Sequence, residues 1–245
     1  MILRLDKYLG DHNLGTRKQI KEYLKNGRCT VNGIVAVKPD VHINELSDEI
    51  AFDGKVLSYA RFHYFMLYKP AGVVSATNDK RNVTVLDLLK EENLKNLSPC
   101  GRLDIDTEGL LLITDDGVMI HNLLSPKKHV DKVYEVHIAH ELSEEDIKRL
   151  TDGVDIGDKN DDGSVKPTLP AVVTQKERDN DGNPVIELTI HEGRFHQVKR
   201  MLEAVGNEVL FLKRLSMGPL FLDEKLAPGE YRALTDEEIK KLSKN

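Results

Sequence analysis

The residues best suited to covalent chemistry lie in a polar loop bounded by glycines. Within 101–109, Asp104 offers a carboxylate nucleophile and Arg102 a cation, and four apolar residues follow at 110–113. Such an apolar run indicates a buried strand, which can present a carboxylate in fixed geometry. Taken alone, however, these residues favour a simpler interpretation, in which Arg102 and Asp104 cap a turn.

Two later segments place candidate side chains on regular elements. Tyr134 falls in an apolar, β-rich run that predicts a strand over 133–138, and Lys199 falls in a segment that predicts a helix over 198–205, with Gly206 as its stop. Taken singly, Tyr134 is explained as strand core and Lys199 as helix surface.

In order along the chain, three segments resemble the motifs of the pseudouridine synthases that modify ribosomal RNA. They are Gly-Arg-Leu-Asp at 101–104 with Gly-Leu-Leu at 109–111, Lys-Val-Tyr-Glu-Val at 132–136, and Glu-Gly-Arg-Phe-His-Gln-Val-Lys-Arg-Met-Leu at 192–202. Segments 69–75 and 229–235 also match. The resemblance therefore covers nearly the whole chain, and three ordered motifs are far more specific than one.

The resemblance implies a role for each of these residues. Asp104 would be the nucleophile, Tyr134 the active-site aromatic, Lys199 the basic partner and Leu202 a wall of the site. Arg102 is a candidate to fill the gap left by an extruded base. The reaction breaks an N-glycosidic bond and rejoins the base through carbon, so we expect neither a cofactor nor a metal.

The first sixty residues form a second region, in which positive charge is concentrated. Residues 1–30 hold seven basic and three acidic residues, a local net charge of +4, although the whole chain carries −6. Thr16 and Gln19 have capping-box form and predict a helix that buries Ile20 and Leu24. Asn32-Gly33 predicts a hairpin turn between two short strands.

This region resembles the alpha-L RNA-binding motif, with Thr16-Arg17 where Ser-Arg is usual. The resemblance implies that basic residues of the helix and its approach lie along RNA phosphates: Arg4, Arg17, Lys18, Lys21 and Lys25. Charge alone is explained equally well by a solvated helix face. Phosphate contacts would position the protein in a salt-dependent way without specifying base sequence.

Beyond residue 61, strands and helices mix without regular alternation. Apolar runs predict strands near 62–68 and 185–190, and capping patterns predict helices starting after Ser143 and Thr235. Thr84–Lys90 is also predicted helical, and Asp115-Asp116-Gly117 predicts a turn. We therefore predict an α+β fold, with a small helical and hairpin RNA-binding domain at 1–60 and a mixed-sheet catalytic domain at 61–245.

Composition and spacing argue against several other kinds of site. The acidic run from Asp158 has Leu169 where an EF-hand loop needs glutamate, and His191 and His196 are five residues apart, not the four of a zinc helix motif. The two cysteines predict free thiols, and no apolar run approaches the roughly 20 residues of a membrane helix. We expect a cytoplasmic monomer.

Within the family, the His-Gln-Val-Lys-Arg-Met segment at 196–201 is most similar to the small-subunit type. The expected substrate is therefore a uridine of 16S ribosomal RNA, naked or in an assembling small subunit. The alternatives are a 23S enzyme of the same family, a non-catalytic RNA-binding assembly factor, and a nucleosidase that uses Asp104 with Asp106.

Overall fold

The computed structural model describes residues 2–12, 14–44, 47–57, 62–92 and 96–243. The chain divides into two compact units, Met1–Arg61 and Phe62–Asn245. Each unit has its own hydrophobic core. None of the helices within the described ranges combines the length and apolarity needed to cross a bilayer.

The first unit packs two helices against short strands. Its elements are β1 (Ile2–Arg4), α1 (Leu5–Asp11), α2 (Arg17–Lys25), β2 (Cys29–Val31), β3 (Ile34–Val35), β4 (His42–Asn44), β5 (Ile50–Phe52) and β6 (Lys55–Val56). The predicted capping box is confirmed, because the Thr16 hydroxyl accepts from the Gln19 amide and the Gln19 side chain accepts from the Thr16 amide. Ile20 and Leu24 are buried as predicted.

The predicted hairpin between β2 and β3 is also present. Asn32 and Gly33 both adopt positive φ, at 51° and 78°, as a type I′ turn requires. One local prediction is wrong: the spacing of Leu3, Leu5, Tyr8 and Leu9 predicts a single helical stripe, but Leu3 lies on β1, which pairs with β4. The helix starts two residues later because Leu3 belongs to the β1 ladder.

The second unit is built on a mixed nine-stranded sheet. Its strands are β7 (Tyr64–Lys69), β8 (Ser98–Pro99), β9 (Glu108–Thr114), β10 (Lys132–Ile138), β11 (Val172–Gln175), β12 (Val185–Ile190), β13 (Val209–Met217), β14 (Leu220–Phe221) and β15 (Tyr231–Ala233). The main path runs β11-β12-β10-β13-β9-β7-β15, with β14 on β13 and β8 on β9. Only the β9–β13 pair in this path is parallel. The predicted α+β class is confirmed.

Helices flank this sheet in the second unit. They are α3 (Gly117–Leu124), α4 (Glu144–Asp152), α5 (Gln197–Ala204) and α6 (Asp236–Leu242), with 3₁₀ helices at Val85–Glu92 and Pro126–Lys128. The predicted helix over 84–90 is thus a 3₁₀ helix. The turn predicted at 115–117 instead starts α3, because the Asp116 carboxylate accepts from two first-turn amides.

The parallel pairing joins the two halves of the sheet through very few residues. Lys213 lies opposite Glu108, and Arg214 lies opposite Gly109. Gly109 has φ +102°, and a Cβ there would lie 2.3 Å from the Arg214 carbonyl oxygen. Only glycine allows this approach, so the start of β9 is fixed by a main-chain contact.

Candidate active site

The backbone on both sides of Asp104 is held by the segment that follows β7. The Ser75 hydroxyl donates to the Leu103 carbonyl at 2.8 Å and accepts from the Leu103 amide at 3.0 Å. On the other side, the Gly72 amide donates to the Ile105 carbonyl at 2.7 Å. Asp104 is thereby presented in a fixed loop with its side chain about 26% exposed.

Lys69 is a fully buried lysine beneath the same loop. Its ammonium donates to the carbonyl oxygens of Thr107 at 2.8 Å, Pro70 at 3.0 Å and Ile105 at 3.4 Å. Burial lowers the pKa of Lys69 to about 8, against the opposing effect of the carboxylates of Asp106, Glu108 and Asp104. From the sequence, segment 69–75 was identified only as one that matches the pseudouridine synthases, and no role in the site was predicted for Lys69.

Lys199, on α5, lies between two carboxylates of the loop. Its Nζ is 3.7 Å from Asp104 Oδ2, so the structure brings these two predicted residues together. The shorter contacts are to Asp106, at 2.6 and 2.7 Å to its two oxygens. The hydrogen bond from Lys199 lowers the pKa of the Asp106 carboxyl. Asp106, considered at first only for a nucleosidase, is the closer partner of the lysine.

His196 also reaches the Asp104 carboxylate. Its Nε2 lies 3.5 Å from Asp104 Oδ1, on the other carboxylate oxygen from the one that faces Lys199. The sequence contains a signal that could have predicted this contact: His196 lies three residues before Lys199. This spacing brings both side chains to neighbouring positions around the first turn of α5. His196 was weighed only as part of a zinc motif and as a marker of family type.

Tyr134 lies in one row of the sheet with the start of β9. It pairs with Arg214 on β13, and Arg214 pairs with Gly109 on β9. Two strand spacings, roughly 10 Å, therefore separate the Tyr134 and Gly109 backbones. Tyr134 is 7% exposed and shares a hydrophobic core with Leu103, the residue next to Asp104.

The hydroxyl of Tyr134 makes no hydrogen bond with any described residue. The ring lies in the core, and its oxygen is left without a partner in the described part of the protein. Leu202, the predicted wall residue, is fully buried in the same core.

The chain is similar in sequence to several known proteins. Residues 63–204 match the family described as RNA pseudouridylate synthase. An uncharacterised RNA pseudouridine synthase of Bacillus subtilis (strain 168) is 50% identical over 238 residues, covering 97% of each chain. A Vibrio vulnificus protein named ribosomal small subunit pseudouridine synthase A is 43% identical over 237 residues, covering 97% of this chain and 98% of that one.

The chain belongs to the RNA pseudouridine synthase family. A crystal structure of a pseudouridylate synthase matches it at 38% identity, with a TM-score of 0.65, over 98% of this chain and 99% of that one. The predictions of the family and of an enzyme that modifies RNA are confirmed.

Arg102 of the synthase is exposed two residues before Asp104. It makes no ion pair or hydrogen bond with any described residue, so its guanidinium is available to a substrate.

In the first unit, four of the five predicted phosphate contacts are unpaired. Arg17, Lys18, Lys21 and Lys25 are exposed on α2 and have no ion pair within the described residues. Arg4 is different, because its guanidinium forms a bidentate ion pair with the Asp6 carboxylate, at 2.8 and 3.0 Å.

The segments rejected as metal sites are engaged otherwise in the synthase. Asp158 pairs with Arg200 at 2.6 Å and with Arg194 at 3.4 Å. His191 Nδ1 contacts Asp131 at 2.6 Å. Across the described ranges, no three or more histidine, cysteine or acidic side chains are grouped as metal ligands would be. Both cysteines are buried as free thiols.

Proposed function

We propose that this enzyme converts one uridine of small-subunit ribosomal RNA to pseudouridine, with Asp104 as the nucleophile acting on an extruded base. One observation carries the proposal: Ser75 and Gly72 hold the backbone on the two sides of Asp104, and Lys199 lies 3.7 Å from its carboxylate. The choice of the small subunit is supported by the Vibrio vulnificus relative, which is named ribosomal small subunit pseudouridine synthase A.

The reaction is an isomerisation, and the proposed roles follow its bond changes. The bond from C1′ to N1 of uracil breaks, the base turns, and a bond from C1′ to C5 forms as the proton on C5 leaves and N1 gains a proton. Asp104 captures the electron-poor intermediate by adding either to the ribose or to the base, and its bond to the substrate breaks again before the product is released. Lys199, whose Nζ lies 3.7 Å from Asp104 Oδ2, helps to hold the attacking carboxylate in place.

Tyr134 and Arg102 act on the base in this proposal. The Tyr134 ring forms one wall against uracil, and its hydroxyl, which has no hydrogen-bond partner among the described residues, acts on the departing proton of C5. A stacked or paired uridine cannot reach Asp104 in place, so the nucleotide is extruded and exposed Arg102 fills the gap. Leu202 supports the Tyr134 wall from the shared core.

The first unit supplies affinity in this proposal. The unpaired cations of α2 lie along RNA phosphates and release counterions on binding. The substrate is 16S RNA, naked or within an assembling subunit, and the enzyme acts in the cytoplasm as a monomer.

Pseudouridine mapping tests the function directly. Ribosomal RNA from cells that lack this protein should lose one pseudouridine of 16S RNA. The wild-type chain should restore it, whereas Asp104→Asn should not, although the variant still binds RNA. Glu224→Gln, which changes an exposed carboxylate outside the site, is the matched control and should restore the modification.

Each other outcome has a defined meaning. Restoration by Asp104→Asn would remove the nucleophile assignment, and a site lost from 23S RNA would move the target to the large subunit. Loss of no site would support a non-catalytic factor, and release of free uracil by the purified protein would indicate a nucleosidase.

A further inference from the structure

A large aromatic ring is exposed at the edge of the catalytic site. Phe195 is 74% exposed, although it lies just before α5. The buried face of α5 is formed without it, by Gln197, Val198, Met201 and Leu202. The phenyl ring therefore does not contribute to the core, and its exposure to water costs free energy unless the ring packs against a partner.

The phenyl ring stacks on the His196 imidazole. The two ring centroids are 3.8 Å apart and the planes are inclined by 19°. His196 in turn lies 3.5 Å from Asp104 Oδ1. The Phe195–His196 stack thus leads outward from the nucleophile, with one face of the phenyl ring on the imidazole and the other facing solvent.

The backbone beneath this stack is held in place. Arg200 donates to the Phe195 carbonyl at 3.0 Å and is itself anchored on Asp158 at 2.6 Å. The Arg194 amide donates to the Gln197 side chain at 2.9 Å. The stack is therefore a preorganised surface, which lowers the entropy lost when a ligand docks on it.

We propose that the free face of Phe195 binds the nucleobase of a nucleotide adjacent to the target uridine. The inference rests on the proposed function, because the target base itself must reach Asp104. The separation of 3.8 Å between the two rings is close to the spacing of stacked bases, about 3.4 Å, so an RNA base can extend the stack. Every base has a π face, so the contact tolerates any base.

Tryptophan fluorescence reports the contact directly, because the chain contains no tryptophan. Phe195→Trp introduces a single indole, and adding Asp104→Asn prevents turnover of the probe, a 16S RNA transcript. Base stacking should quench the indole emission by severalfold. Phe221→Trp is the matched control, since Phe221 is 68% exposed and pairs with Ser216 on β13, beyond the residues that pair with β9.

Filter binding with the same transcript makes the result decisive. Quenching of the indole in the Phe195→Trp variant, without quenching in the Phe221→Trp variant, supports the proposal. Equal responses in both variants would overturn it. An unchanged emission from the Phe195→Trp variant, while filter binding shows bound RNA, would overturn it as well.

Steady-state kinetics separate stacking from a merely structural role. Phe195→Leu keeps an apolar side chain but removes the π face, and should raise KM for the transcript by about tenfold, within the range for loss of one base stack. Phe195→Tyr keeps an aromatic ring and should have the wild-type KM. For both variants kcat and the unfolding temperature should change little.

A wild-type KM for Phe195→Leu would exclude stacking, and so would a fall in kcat with KM unchanged. These results differ from a failure of the proposed function, in which the wild-type enzyme itself would form no pseudouridine in 16S RNA.

Discussion

The cations of the catalytic site and the cations of α2 differ in how they are neutralised. Lys199 contacts two carboxylates, and Lys69 is buried against three carbonyl oxygens. On α2, by contrast, Arg17, Lys18, Lys21 and Lys25 project into solvent without an ion pair in the described part of the chain.

This difference separates two uses of positive charge. A cation already held by partners has lost its rotamer freedom and can orient a reacting group, and salt screens it weakly where it is buried. An exposed, unpaired cation orients nothing, but it can neutralise a phosphate and release counterions. The cations of the candidate active site are therefore suited to fix geometry, and those of the first unit are suited to provide affinity.

Of the replacements that test this contrast, that of Lys199 should have the largest effect on activity. Lys199→Met should lower kcat on the order of 10²-fold, the scale for loss of one preorganised electrostatic contact, with little change in RNA affinity. Asp106→Asn is the matched variant, because it leaves Lys199 charged and beside Asp104, and it should lower kcat only severalfold. Equal losses in single-turnover assays would mean that the lysine acts through Asp106.

Replacing Lys69 tests the buried cation by its pH dependence. Lys69→Met leaves the carbonyls of Thr107 and Pro70 without their donor, at a cost of about 1–3 kcal/mol. The folded pKa of Lys69, about 8, lies below the ordinary lysine value, so the unfolded chain binds more protons between the two. The contribution of Lys69 to stability should therefore grow as pH rises through this window.

Urea unfolding of wild type and Lys69→Met at several pH values measures that contribution. The difference in unfolding free energy should widen from pH 8 upward and be smallest below pH 8, where burial of the ammonium is costliest. A difference that narrows above pH 8 would contradict the lowered pKa.

Removing the α2 charges should have the smallest effect on the catalytic step and a distinct signature in RNA binding. Changing Arg17, Lys18, Lys21 and Lys25 together to Gln should reduce the slope of log Kd against log salt by up to about three, with kcat retained at saturating RNA. The matched control changes four exposed lysines of the catalytic unit, Lys148, Lys159, Lys225 and Lys240. Equal slope losses in both variants would remove the special role of α2.

The sequence predicted best what depends on near neighbours. The Thr16 cap, the Asn32-Gly33 turn and the buried run after Gly109 are local patterns, and each forms as predicted. Leu3 was misassigned because its strand partner, Ile43, is forty residues away.

The same limit applies to the site. The motifs indicated Asp104 and Lys199. The hydrogen bond from Lys199 to Asp106, however, joins residues that are 93 positions apart. Lys69 donates to the carbonyl oxygens of Ile105 and Thr107, which lie 36 and 38 positions further along the chain. Every residue type has a main-chain carbonyl, so no sequence pattern marks these two acceptors. Neither could be inferred from composition or spacing.

The close approach of Gly109 to Arg214 also constrains when activity can arise. These two residues are 105 positions apart, and their contact joins the halves of the sheet that carry Asp104 and Tyr134. Pairing over such a separation requires closing a long loop, which slows folding. During synthesis the pairing of β9 with β13 cannot form until β13 has left the ribosome. We therefore expect a nascent chain to stay inactive until nearly its full length has emerged.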